Sequence, residues 1–252
     1  MSSILREMQF IEYTDRKFEE PIAIIGLPDV GLVGAIATVH LTRELKLPEH
    51  GYAYYDLIPP VILLHGGELK SPIRIYANEK VITLISEIAL PTQTILALSK
   101  KIVHWIMEKK GKYILMLSGL GVPNRMDIEE PKVYGVATNM EGKKILQENG
   151  IEILQEGFIA GANALILREC IKNKIPAILL LSESFTEFPD PAAAASILKA
   201  FSKITGIQID TKKLIEQAEE IRIKARELMR RTQRQLKAMR KIQESEVPLM
   251  YR

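Results

Sequence analysis

The segment Pro21-Ile-Ala-Ile-Ile-Gly-Leu27 is an unbroken run of apolar residues of strand length. A strand with one face in water alternates apolar and polar residues, whereas one without alternation is covered on both faces. Such a strand requires helical layers on either side of its sheet. The next residues offer one layer: Gly31-Leu-Val-Gly-Ala-Ile-Ala-Thr-Val-His-Leu-Thr-Arg-Glu-Leu-Lys46 has helical spacing and is closed by Pro48. The first unit therefore reads strand, glycine-rich turn, helix.

Six further runs have strand character: Val61 to Leu64, Ile73 to Tyr76, Val81 to Ile85, Ile114 to Leu117, Val133 to Ala137 and Ala177 to Leu181. Helical patterns lie between several of them, most clearly Gln93 to Lys109, Gly161 to Lys172 and Asp190 to Lys203. In the last, Asp190 suits the N-cap, and Pro191 suits the first helical position, where its missing N–H has no partner to lose. Alternating strands and helices predict an α/β fold: a parallel or mixed sheet with helices on both faces. With 47% hydrophobic residues, 252 residues can bury a full core in one or two domains.

The composition changes after Gly206. From Asp210 to Glu244 there is no Gly, no Pro and no aromatic residue, which predicts a helix of about 50 Å. Leu214, Ala218, Ile221, Ala225, Leu228, Thr232, Gln235, Met239 and Ile242 recur by fours and threes, a heptad seam imperfect at Thr232 and Gln235. Two outcomes are open. Either the front half packs on the body while the rear half is solvated, or Leu214, Ile221, Leu228, Met239 and Ile242 meet a second copy or a partner helix. Pro248 ends the pattern and leaves Leu249-Met-Tyr-Arg252 extended. The expected division is an α/β body over 1–209, a basic helix over 210–247 and a tail over 248–252.

The total charge of +3 conceals an asymmetry. From Lys212 to Arg252 there are twelve basic and six acidic residues, so the preceding body carries −3. The run Arg230-Arg231, Arg234, Lys237, Arg240-Lys241 suits a phosphate backbone and a steep salt dependence. Yet no aromatic residue between Phe201 and Tyr251 provides a stacking platform. Glu216, Glu219, Glu220 and Glu227 precede the bases, the order that the helix dipole favours. A solvated face explains the run as well as RNA does, and nucleic acid is not the expected partner. No stretch approaches the 18 or so apolar residues of a membrane span, and the start lacks a signal-peptide pattern. With one cysteine, a cytoplasmic protein is expected.

Catalytic and metal-binding constellations are missing. His40, His50, His65 and His104 show no metal-ligand spacing, and no Gly-x-Ser-x-Gly elbow occurs. Ser118-Gly119 is an ordinary strand end, and Cys170, set among apolar residues, reads as a small buried hydrophobe. The turn Gly26-Leu-Pro-Asp-Val-Gly31-Leu-Val-Gly34 follows a strand and opens a helix, as phosphate loops do. It has four residues where a dinucleotide fingerprint has one, lacks a Lys-Ser/Thr pair, and contains Asp29, which repels phosphate. Its glycines are expected to let the helix approach the sheet. No catalytic residue, metal or cofactor is expected.

Four segments together resemble one family: Gly26-Leu-Pro-Asp-Val-Gly-Leu-Val-Gly34, Ile58-Pro-Pro60, Ser118-Gly-Leu-Gly121, and Pro189-Asp-Pro-Ala-Ala-Ala194. They are similar to the second proteasome assembly chaperone family over about residues 18 to 220. Asp29 departs from the glycine common in that turn among relatives. Met250-Tyr251-Arg252 resembles the hydrophobic-Tyr-any motif with which proteasome activators and assembly chaperones enter pockets between neighbouring α subunits of the core particle.

The resemblance implies an archaeal, non-enzymatic protein with a three-layer fold like that of the nucleoside phosphorylases. It implies a homo-oligomer, with a ring of four or five copies as one arrangement, and the core-particle α subunits as partners. A second homologue or a small helical protein remains open as a further partner. In this reading Met250 fills an apolar groove, Tyr251 buries its ring, and the α-carboxylate of Arg252 pairs with a lysine. Two other readings compete: an enzyme acting on nucleosides or another small ligand, which the same fold hosts, and an RNA-associated factor using the basic helix.

Overall fold

In the computed structural model, which describes residues 7–246 and their side chains as far as residue 237, the apolar run from Pro21 forms β2 (Ile22–Gly26). It is the fifth of nine strands in one sheet, ordered β1-β3-β6-β7-β2-β8-β11-β9-β10. The others are β1 (Gln9–Glu12), β3 (Glu49–Tyr54), β6 (Ile73–Ala77), β7 (Val81–Ser86), β8 (Tyr113–Gly121), β9 (Val133–Ala137), β10 (Glu152–Ile153) and β11 (Ala177–Ser184). The strands β7, β2, β8 and β11 run parallel, while β6, β3 and β1 on one flank and β9 on the other add antiparallel pairings. The sheet is thus mixed.

Successive residues of a strand point to opposite faces, and here both faces are apolar. On β8, Ile114 and Met116 face α2 (Thr92–Glu108) and α4 (Gly161–Asn173) through Leu98, Ile102, Trp105, Ile166 and Cys170. Leu115 and Leu117 face α1 (Val33–Glu44), α3 (Met140–Glu148) and α5 (Pro191–Thr205) through Val33, Leu41, Leu146, Ile197 and Phe201. This is the three-layer mixed α/β arrangement that the unbroken runs require. Asp190 caps α5 as its position suggests, its side chain accepting from the Ala193 N–H, with Pro191 as the first helical residue.

Two local expectations differ from the structure. Val61 to Leu64 does not enter the sheet: β4 (Leu63–His65) pairs only with β5 (Glu68–Lys70) in a separate hairpin, with Ile62 and Leu64 exposed. Gly66 and Gly67, both at positive φ, close that hairpin tightly and turn the chain back before it can reach the sheet. The single helix expected from Asp210 is two, α6 (Lys212–Glu216) and α7 (Ala218–Glu246), separated at Gln217. Gln217 departs from helical backbone angles (φ −97°, ψ 14°), and Leu214 of α6 and Ile221 of α7 both pack on the core beside α5.

Candidate functional site

The strands β7, β2, β8 and β11 end along one edge of the sheet, and the chain moves to one side after β2 and returns on the other as β8. The gap between their carboxyl ends is a topological switch point, where open α/β sheets bind ligands. Here the glycine-rich turn fills most of it. Gly31 has φ +62°, and a Cβ there would lie 2.8 Å from Ser184 Oγ. On Gly34 it would lie 2.0 Å from the Leu117 carbonyl oxygen, and on Gly26 2.0 Å from Thr38 Oγ1. Backbone occupies the space a phosphate would need. Alanine in a helix is ordinarily about 1 kcal/mol better than glycine, but the overlap at Gly34 costs about 1–3 kcal/mol. Urea unfolding of Gly34→Ala is expected to show net destabilisation.

Asp29 stands within this turn. Its Oδ2 accepts hydrogen bonds from Ser118 Oγ on β8 and, at 3.2 Å, from Asn163 Nδ2 in the first turn of α4. Its Oδ1 is buried and makes no hydrogen bond of normal geometry. The residue as a whole is half-buried, but the carboxyl is enclosed. Loss of water therefore pushes its pKa from the ordinary 3.8 up to about 7, against the opposing pull of Ser118, Asn163 and the Gly34 N–H. A small cavity of about 40 Å³ adjoins it, walled by Leu27, Leu90 and Ile95 from the body and by Thr232, Gln235 and Leu236 from α7. The helix thus crosses the carboxyl edge of the sheet and covers the switch point.

This site can hold and release a proton. It offers Ser118 no imidazole to make it a nucleophile: His50 bonds Glu12, His65 pairs with Glu87, His40 touches the Asp210 carbonyl, and His104 is exposed on α2. Cys170 is buried, and its thiol is pushed up to about 12. Among the described residues no group of three or more His, Cys, Asp or Glu side chains is placed to hold a metal ion.

A second buried polar unit shapes the loops beside the site. Arg125 holds Asp190 with two hydrogen bonds, Nε to Oδ2 at 2.7 Å and Nη2 to Oδ1 at 3.1 Å, and donates from Nη1 to the Ile128 carbonyl. Asp190 also accepts from the Phe185 N–H, and the Arg125 guanidinium lies 5.0 Å from the Phe185 ring centroid. Asp190 was legible as a cap. Its arginine partner, 65 residues away, carried no local signal.

The heptad residues divide by position. Leu214 is buried and Ile221 packs against the same core, so these two lie against the chain's own body, while Leu228 is half-buried. Thr232, one of the seam's two polar irregularities, is buried as well, together with Met229. Met239 and Ile242 lie on α7 beyond the described side chains, and Met250, Tyr251 and Arg252 lie outside the described residues. The run Arg230, Arg231, Arg234, Lys237 is exposed. Among the described residues no helix is long and apolar enough to cross a membrane.

The model of the PAC2 family matches residues 23–229. The chain belongs to the PAC2 family. An uncharacterized protein of Methanocaldococcus jannaschii is 34% identical over 221 residues, 88% of this chain and 90% of that one. PbaA of Pyrococcus furiosus, an archaeal homologue of the proteasome-assembly chaperone, superimposes with a TM-score of 0.84 at 29% identity over 90% of this chain and 98% of its own. PbaB of the same organism, an archaeal proteasome activator, gives a TM-score of 0.74 at 26% identity over 88% and 98%. In this PAC2 chain the family match begins in β2 and ends at Met229, so it spans the glycine-rich turn and the first part of α7 and stops before Thr232, Gln235 and Leu236.

Proposed function

We propose that this PAC2 protein is a proteasome assembly chaperone or core-particle binding factor, a homo-oligomeric scaffold whose C-terminal tails dock between proteasome α subunits. The observation that carries the reading is the likeness to PbaA over nearly the full length of both chains at 29% identity. The likeness to PbaB, a proteasome activator, points to the same partner. The residues Met250-Tyr251-Arg252 supply an apolar side chain, an amphipathic ring and a polar end in the order such a pocket takes.

The physical logic is avidity. One three-residue tail binds weakly, but several carried by one oligomer act at high effective concentration once the first has docked, which raises overall affinity by about 10²-fold or more. Helix α7 serves as the arm: its first part is fixed to the body by Met229 and Thr232, and its remainder carries the tail. Of the seam, Met239 and Ile242 are the residues this reading leaves to a second copy or a partner helix.

Native mass spectrometry with and without α subunits tests the reading. Deleting Met250 to Arg252 is expected to lower α-subunit association by about 10²-fold or more while leaving the oligomer intact. Unchanged capture of α subunits by the truncated protein would overturn the docking assignment.

A further inference from the structure

The cavity under α7 is lined from both sides by residues that carry a buried polar atom. Asp29 of the body and Thr232 of α7 both line it, and Asp29 Oδ1 and Thr232 Oγ1 are each buried with no hydrogen bond of normal geometry. The cavity is large enough for two or three water molecules, and Leu27, Leu90, Ile95 and Leu236 make much of its wall apolar. Asp29 is the one titratable side chain among the residues lining it, and no cation lies within bonding distance of its carboxyl among the described residues.

We propose that α7 is latched to the body over this cavity while Asp29 is protonated, and that ionisation of Asp29 releases the half of α7 that carries Thr232, Gln235 and Leu236. A neutral carboxyl fits an apolar cavity, because it can satisfy itself through a water or a hydroxyl. A carboxylate there is a buried charge with no counter-ion, and hydration is the cheapest relief. Three walls of the cavity belong to the sheet edge and to helices α2 and α4, which cannot move without opening the core. The fourth is α7, a single helix lying across the edge.

Burial raises the carboxyl to about 7 and α7 supplies one wall of the cavity beside it, so helix docking and proton binding are linked. From the lower pKa that Asp29 has with α7 lifted up to about 7, each pH unit weakens docking tenfold. Above that the loss is complete. Other ionisable contacts of the arm lie at its root or on its outer face. His40 Nε2 is 2.6 Å from the Asp210 carbonyl, and Lys213 pairs with Glu44 at 3.6 Å. The pairs Arg222–Glu219, Lys224–Glu220 and Arg230–Glu227 run along the exposed side of α7.

Amide hydrogen exchange over residues 225–237, compared at pH 5.5 and pH 8.5 after correction for intrinsic rates, tests the latch. In the unaltered protein the protection of this segment is expected to fall at least tenfold relative to α5, and in Asp29→Asn it is expected to stay level. Equal losses in the two proteins, or no loss in either, overturn the proposal. If Asp29→Asn fails to fold, His40→Gln decides: persistence of the transition supports the latch, and its disappearance assigns the effect to the root of the arm and overturns it. The readout is internal to the chain, so it stands or falls separately from proteasome binding.

Discussion

Replacing Arg125 by Met is expected to destabilise the protein by about 3–5 kcal/mol, measured as a fall in the urea midpoint at constant slope. Arg125 and Asp190 are both buried. Met preserves much of the volume of the arginine stem, so the loss is chiefly the charge. It leaves the Asp190 carboxylate with only the Ala193 and Phe185 N–H groups as donors, an unpaired anion in a low dielectric. The damage should extend beyond the pair. Asp190 caps α5, and the Asp190 N–H donates to the Gly31 carbonyl at 2.9 Å, so the same residue ties the start of α5 to the glycine-rich turn. The double variant Arg125→Met with Asp190→Asn is expected to recover part of the loss, because the amide keeps the cap without the charge. A double-mutant cycle with additive losses would show that the pair does not act as a unit.

Asp29→Asn is expected to do the opposite. Its carboxyl is raised from 3.8 to about 7 in the folded protein. Between those values the folded state keeps a proton that the unfolded chain has released, so stability falls as pH rises through that interval and levels off above about 7. Below about pH 4 both states are protonated and the group contributes no difference. At about 1.4 kcal/mol for each pH unit of the interval, the ionised form carries a ceiling of about 4 kcal/mol at pH 8. Lifting of α7 would relieve part of it. Asparagine has a similar shape, still offers an acceptor to Ser118 and cannot ionise. Its gain in Tm should be small at pH 4 and reach several degrees at pH 8, since each kcal/mol moves Tm by about 2–4 °C in a chain of this size. Equal shifts at both pH values would mean that the carboxyl is hydrated and its charge inconsequential.

Much of the fold was legible because its signals are local. The unbroken apolar runs at Ile22, Val81, Ile114 and Ala177 became β2, β7, β8 and β11, the four parallel strands buried on both faces. The Asp190-Pro191 pair marked the start of α5 by capping chemistry that needs no tertiary partner. Elements whose apolar residues form no long continuous run gave weaker signals. Glu49–Tyr54 joined the sheet as β3 through its pairing with β1 and β6, and Met140–Glu148 formed α3 behind an Asn139 cap. Neither has the apolar density that periodicity detects.

The site was legible only in parts. Asp29 stood out as an acid in a turn that would otherwise suit phosphate. Asn163 had no reason to be linked with it, nor had Thr232, which read as a flaw in a heptad seam. They meet because β2, β8 and α4 bring their ends to one edge of the sheet and α7 crosses that edge.

By itself the sequence determined the layers, the strand-turn-helix at Gly26 to Gly34 and the basic character of the arm, since burial on both faces, backbone freedom and charge are properties of neighbouring residues. Only the tertiary structure decided where the arm lies and what it covers. Whether a seam residue meets a partner or the chain's own body depends on the path that α6 and α7 take over that body. The near-neutral pKa of Asp29 depends on burial that tertiary packing creates, and residues 134 and 203 positions further along the chain, Asn163 and Thr232, complete its surroundings.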